Sequence, residues 1–315
     1  MDPPRVSLRV VGERWSERLV LPRDHNGDHE AARAFEPSDR RTAGAVGRHA
    51  RLELVFEQRR GRTVVAHQYA EPPFRVAPVF DLHGAAYAII VCAGPGVFGG
   101  DRLTQSIHVG RGACVVLTSQ AALQIHPAAD APVPAVLRSA YRVDGDGELH
   151  CHWDPVIPFA GARVDQRFDL QIADDSRLYW SDALMAGRVS RGEAWQFAAL
   201  AHELVLRVSA RPEYLERYTI VPDDRVERTW MSGPATHLAT ALVRHSALTP
   251  ETVEDGHRRL AEITDLAAAA DLVEPALAVA RMIGADGASF ARARASYRAW
   301  ALASIFGRPE LAGRK

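Results

Sequence analysis

From Arg51 onward, apolar and polar residues alternate along much of the chain. In "RLELVFEQRRGRTVVAHQY", Leu52, Leu54 and Phe56 share one side of a period of two, and residues 60–61 interrupt the run before Val64. That pattern predicts an antiparallel hairpin. "AAYAIIVCAG" predicts a third strand, and "RLTQSIHVGRGACVVLTSQAAL" predicts two more around residues 110–112. "AVLRSAYRVDGDGELHCHW" reads as a hairpin with its turn at residues 144–147, and "RVDQRFDLQIADDSRLYWSDALMAGRV" as another with its turn at residues 174–175. "AHELVLRVSARPEYLERYTIV" reads as one more. Strand, turn and strand recur every roughly eight to twelve residues, which predicts a mainly β fold. No internal repeat of fixed period is visible.

The two ends differ from this middle. Residues 5–21 are expected to hold a strand pair or to be loosely attached, and 22–47 are rich in charge, Gly and Pro and show no period, so the N-terminal extension 1–47 is expected to be partly disordered. Near the other end, Thr249 is a good N-cap, with Pro250 at the first helical position and Glu251 and Glu254 in the first turn. This predicts a helix over about 249–270. "EPALAVARMI" predicts a returning strand, and "DGASFARARASYRAWALASIFGRP" a second helix over about 286–306. On that helix Phe290, Ala293, Tyr297, Trp300 and Ile305 lie along one stripe, expected to pack on the sheet.

Composition narrows the class. The 315 residues suffice for one large domain, and a formal net charge of −1 gives no whole-chain attraction to nucleic acid or acidic membranes. Three cysteines without regular spacing, Cys92, Cys114 and Cys151, argue against a disulfide framework. No apolar run approaches the roughly 20 residues of a membrane span. The charged N-terminus lacks the apolar core of a signal peptide. Together these predict a cytoplasmic protein.

One motif suggests a cofactor and then withdraws the suggestion. In "AIIVCAGPGVFGGD", Gly94, Gly96 and Gly99 satisfy G-x-G-x-x-G after a strand. A dinucleotide site also needs a helix directly after the glycines and an acid roughly 20 residues on. Here "GGDRLTQSIHVG" alternates like a strand, and the next strand ends in Ser-Gln. The run is therefore expected to be a tight connection between strands, where positive φ and close backbone approach favour Gly.

Two long blocks carry a family resemblance. "GPGVFGGDRLTQSIHVGRGACVVLTSQAA" and "DPVIPFAGARVDQRFDLQIADDSRLYWSDALMAGRVSRGE" resemble the signature stretches of the urease accessory protein UreD, also called UreH. "RLELVFEQRRGRTVV" and the closing "LAVARMIG…YRAWALASIFGRP" fit the same order, so the resemblance runs from about Arg48 to Pro309. It implies a single-domain, β-helix-like stack of strands over 48–310, with a few helices in its C-terminal third. It implies a non-catalytic scaffold and metallochaperone. The partners implied are apo-urease, UreF and the GTPase UreG in a hetero-oligomer, with nickel in transit and no tightly bound cofactor.

A conduit for nickel needs ligands that release as readily as they hold, which favours carboxylates and occasional imidazole over a closed thiolate set. Period two puts Asp182 in a row with Leu178, Trp180 and Leu184, where a carboxylate must be paired or bind a metal. The resemblance places a family acid in this register; a bond to an arginine such as Arg188 is the alternative. Glu216 shares a face with Tyr214 and Tyr218 while Arg217 points the other way, and the family has an acid–arginine pair here. Asp101 ends the glycine run and either caps backbone N–H groups or lines the route. Glu193 is a path acid or the partner of Arg188 or Arg191.

His150 and His152 share a strand face with Asp154 and form a partial metal site. They support a competing reading, a metal-dependent hydrolase on a β scaffold. The opposite row, Leu149, Cys151 and Trp153, is more apolar, so the histidine row is expected to face solvent. The family resemblance adds nothing to this pair. A partner-binding β module unrelated to metals is the remaining alternative. The chain also departs from the family: after "TSQAA" it has Leu123-Gln124-Ile125-His126 in place of a lysine followed by an aromatic. "EPPFRVAPVFDLHG" lacks the usual basic–Pro–Phe–aromatic spelling, and residues 1–47 have no counterpart.

Overall fold

The alternation in the sequence becomes alternation in burial. Along His49–Arg59 (β1), Leu52, Leu54 and Phe56 are buried and the residues between them are not. The computed structural model describes residues 47–128, 132–222 and 233–313, so all but Gly47 of the expected N-terminal extension lies outside the described residues.

The strands that follow are Arg62–Ala70 (β2), Phe74–Val76 (β3), Phe80–Leu82 (β4), Ala85–Cys92 (β5), Val97–Phe98 (β6) and Arg102–Val109 (β7). Next come Cys114–Ser119 (β8), Leu123–His126 (β9), Ala135–Val143 (β10), Glu148–His152 (β11), Val156–Pro158 (β12) and Arg163–Ile172 (β13). Arg177–Met185 (β14), Ala199–Val208 (β15), Arg211–Ile220 (β16) and His237–Arg244 (β17) precede helix Pro250–Ala261 (α1). Strands Leu266–Glu274 (β18) and Leu277–Gly284 (β19) and helix Gly287–Trp300 (α2) complete the order.

These strands form two sheets. The first runs β16-β15-β13-β10-β7-β1-β2 and the second β18-β19-β17-β14-β11-β8-β5-β3. From β7 to β15 the long strands alternate between the sheets, and neighbours within each sheet are parallel. The fold is therefore mainly β, with the chain winding from one sheet to the other as in a two-sided stack.

The winding corrects part of the sequence reading. The β1–β2 and β15–β16 pairs are antiparallel hairpins, as their patterns predict. The turns at residues 144–147 and 174–175 are not hairpin turns. They are corners, because β10 and β13 belong to the first sheet while β11 and β14 belong to the second. A period of two identifies strands but not their partners.

The first core fills the gap between the sheets, with Phe56, Ile107, Tyr141, Leu170 and Trp180 among its large side chains. Each such side chain contributes roughly 1.5–3 kcal/mol by leaving water. A second core lies on the other face of the second sheet, where α1 and α2 pack over Tyr87, Val116, Tyr179 and Val243. The expected stripe Phe290, Ala293, Tyr297, Trp300 and Ile305 is buried there. Thr249 caps α1 and Asp286 caps α2 through their side chains.

The first helix is shorter than expected. It ends at Ala261, and residues 266–274 form β18, paired with β19. Asp265 turns the chain with φ 62°. Leu266, Ala268, Ala270 and Leu272 then alternate inward against the second core. Sheet pairing overrides the helix preference of the alanines here. Among the described residues, no helix is long and apolar enough to cross a membrane.

Candidate functional site

Asp182 sits in the middle of β14 with its side chain in the gap between the sheets, in line with Leu178, Trp180 and Leu184. Across the gap, His202 of β15 approaches it, with Nε2 3.7 Å from Asp182 Oδ2. His202 occupies an inward position between Leu200 and Leu204, stacks on Tyr218 at 4.7 Å and packs against Phe168. Burial pushes the Asp182 carboxyl up to about 6, the nearby Glu216 adds to the rise, and His202 opposes it.

Glu216 completes the cluster from the edge strand β16. Its carboxylate accepts from the Thr240 hydroxyl at 3.0 Å, from Tyr214 Oη at 3.0 Å and from Arg281 Nη1 at 2.6 Å. Thr240 stands directly opposite Asp182 in the β14–β17 ladder and directly opposite Arg281 in the β17–β19 ladder. One cross-strand row of the second sheet, Asp182, Thr240 and Arg281, thus meets His202, Glu216 and Tyr214 of the first. Burial and the adjacent carboxylate raise the Tyr214 phenol, which keeps it a donor to Glu216.

The row continues into a cavity of about 260 Å³ between the sheets. Gln166, next to His202 in the β13–β15 ladder, lines it with Gln105, Ser139, Tyr141 and Phe168. Gln105 Oε1 is buried without a hydrogen-bond partner. The glycine run borders the cavity through Gly94, Pro95 and Gly96.

Two of the predicted acids, Asp182 and Glu216, are therefore brought together, and the others lie elsewhere. Arg217 is on the outer face, where it donates to Glu203 at 2.5 Å; the arginine of Glu216 is Arg281 instead. Glu193 accepts from Nε and Nη2 of Arg188, which holds its carboxyl below the usual range. That leaves Asp182 with His202, rather than Arg188, as its ionisable neighbour across the gap. Asp101 is buried in the glycine turn. It accepts from the backbone N–H of Arg48 at 2.7 Å and of Phe98 at 2.9 Å, and from Arg48 Nη2 at 2.5 Å. These bonds hold its carboxyl down against the opposing cost of burial.

His150 does not face solvent. It is buried beneath the C-terminal segment, 4.7 Å from the Phe306 ring. Glu148 is held down to about 2, despite burial, by bonds to His150 and by the charges of Arg177 and Arg308, so His150 Nε2 donates to it at 2.7 Å. Among the described residues, Cys114, Glu148 and His150 converge within 4.8 Å, close enough for one metal ion. Two guanidiniums already occupy this cluster. Arg177 lies 2.9 Å from Glu148, and Arg308 donates to Cys114 Sγ at 3.2 Å. Burial and the Glu148 charge also raise the thiol. The group is a charge-neutralising lock on the C-terminal segment. Asp154 accepts from the Ser119 hydroxyl at 2.8 Å, whereas His150 is committed to Glu148.

Sequence reasoning passed over His202 and Arg281. Both carried the signal that exposed Asp182: a charged or polar residue in an apolar row. His202 interrupts Leu200, Leu204 and Leu206, and Arg281 interrupts Leu277, Val279 and Ile283.

A family model described as "UreD urease accessory protein" matches residues 48–315. The chain belongs to the UreD family. It is 34% identical over 195 residues to Urease accessory protein UreD of Sorangium cellulosum (strain So ce56), covering 62% of this chain and 61% of that protein. It is 33% identical over 141 residues to the UreD of Trichodesmium erythraeum (strain IMS101), covering 44% of this chain and 50% of that one. Urease accessory protein UreD 2 of Methylorubrum extorquens (strain PA1) is 36% identical over 157 residues, covering 49% of this chain and 50% of that protein. The chain thus spans 50 to 61% of the length of these UreD relatives.

Proposed function

We propose that this chain acts in urease maturation as a non-catalytic scaffold that passes nickel ions between its two sheets toward apo-urease, in the cytoplasm and together with UreF-like and UreG-like partners. The observation that carries the reading is a set of inward polar groups on two neighbouring cross-strand rows: Gln166 beside His202, which meets Asp182, and Gln105 beside Ser139 in the row that ends at Glu216. A β core of this kind is ordinarily apolar, and ionised groups inside it cost free energy unless they serve a partner or a ligand.

The chemistry of the two rows suits transit. Their ligands are carboxylate, imidazole, amide and hydroxyl, borderline or hard donors that bind Ni²⁺ without a thiolate trap. Asp182 and Glu216 lie at successive positions rather than in one closed set. An ion can therefore exchange from one to the next, as multi-site conduction requires. The unpartnered Gln105 Oε1 faces a cavity that can take a hydrated ion.

The test is deletion of the chain from a urease-producing cell. The reading predicts urease protein at its normal level with little nickel and little activity. Full nickel loading without the chain would remove the reading.

A further inference from the structure

Resting on the nickel route proposed above, a second question is what balances the Glu216 carboxylate when no metal is present, and what keeps a metal from staying there. Arg281 answers both. Its Nη1 donates to Glu216 Oε1 at 2.6 Å, and its Nη2 donates to Tyr214 Oη at 2.8 Å. The pair is unequal in exposure: the Arg281 side chain is 54% exposed and that of Glu216 only 5%. The carboxylate is fixed inside while the guanidinium stands at the rim.

The surroundings let that guanidinium move. The other bonds to Glu216 come from the neutral hydroxyls of Thr240 and Tyr214, which remain when the arginine leaves. Directly beyond Arg281 in the β18–β19 ladder is Ala269, exposed and with a single-carbon side chain. Opposite residues in a ladder share a face, so no large neighbour on that strand pins the arginine over the cluster. An arginine does not deprotonate in a protein, so its charge leaves Glu216 only by movement of the side chain.

We infer that Arg281 is a displaceable counter-ion: it occupies the place a divalent cation takes at Glu216, swings outward when the ion arrives, and returns as the ion moves on. Competition of this kind lowers the affinity of Glu216 for the ion, so the ion is released.

The experiment is titration of the full-length chain with Ni²⁺ alone, comparing wild type with Arg281→Ala, Arg281→Gln, Glu216→Gln and Asp182→Asn. Arg281→Ala and Arg281→Gln are expected to bind nickel about two- to fivefold more tightly, because a half-exposed competing ion pair has been removed. The glutamine variant keeps amide donors without the charge, so it reports on charge alone even if the alanine variant folds poorly. Glu216→Gln and Asp182→Asn are expected to weaken binding. Unchanged or weaker binding in Arg281→Gln, with weakening in Glu216→Gln, overturns the role of Arg281 and leaves the site in place. Unchanged binding in both Glu216→Gln and Asp182→Asn overturns the site as well.

Discussion

Asp182 and His202 face each other across the two sheets at 3.7 Å, each from the inward row of its own strand. The carboxyl is raised to about 6, chiefly by burial. A carboxyl whose folded-state value lies above its unfolded value binds its proton more tightly when folded. Its contribution to stability is therefore present below about pH 4 and is lost as pH rises to about 6. Asp182→Asn should remove that slope and raise stability at pH 7 by on the order of 2 kcal/mol. Urea unfolding midpoints between pH 4 and pH 8 check this. An unchanged or lower midpoint at pH 7 would show that the charge is not a burden to the fold.

Glu148 behaves in the opposite sense. Its carboxyl is held down to about 2 by its bond to His150 and by the Arg177 and Arg308 charges. The stability it contributes is present above about pH 4.5 and is lost as pH falls toward 2. Glu148→Gln should cost on the order of 3 kcal/mol at pH 7 by taking the carboxylate from Arg177 and leaving Arg308 with Glu310 alone. It should also flatten the acid limb of the unfolding profile. A midpoint that matches wild type at pH 7 would mean the lock is not needed.

The glycine run gives a third prediction. At Gly96, φ is +125° and an added Cβ would lie 2.5 Å from the Gln124 carbonyl oxygen. Gly96→Ala is expected to destabilise by about 1–3 kcal/mol or more, through backbone strain and overlap together. Asp101→Asn is expected to cost about 1–3 kcal/mol, since it weakens the charge-assisted bonds to Arg48. Thermal unfolding measures both. The Asp101 variant should leave nickel delivery unchanged if its folded fraction is unchanged, because the carboxylate is fully engaged in the turn.

Much of the fold was legible because a half-buried strand repeats every two residues. The inward sets around Leu52, Trp180 and Tyr214 could be read directly from that period. The pairing could not, because β10 and β11 join different sheets through a short turn that resembles a hairpin loop. The strand at 266–274 was hidden because its alanines favour a helix locally and only pairing with β19 decides otherwise. At the site, Asp182 was visible as an acid in an apolar row, whereas its partners His202 and Arg281 lie 20 and 99 positions further along the chain. His150 was misjudged for a related reason. The row opposite the first core is covered by a helix layer that a strand pattern does not reveal.

The most direct measurement is the nickel content of urease purified after co-expression with its accessory proteins and either the wild-type chain, Asp182→Ala or Glu216→Gln. Soluble level and partner association of each variant should be matched to wild type first. The account predicts urease assembled at normal yield but with nickel reduced at least several-fold in both variants. Full nickel occupancy with both variants present would contradict passage of the ion between the sheets.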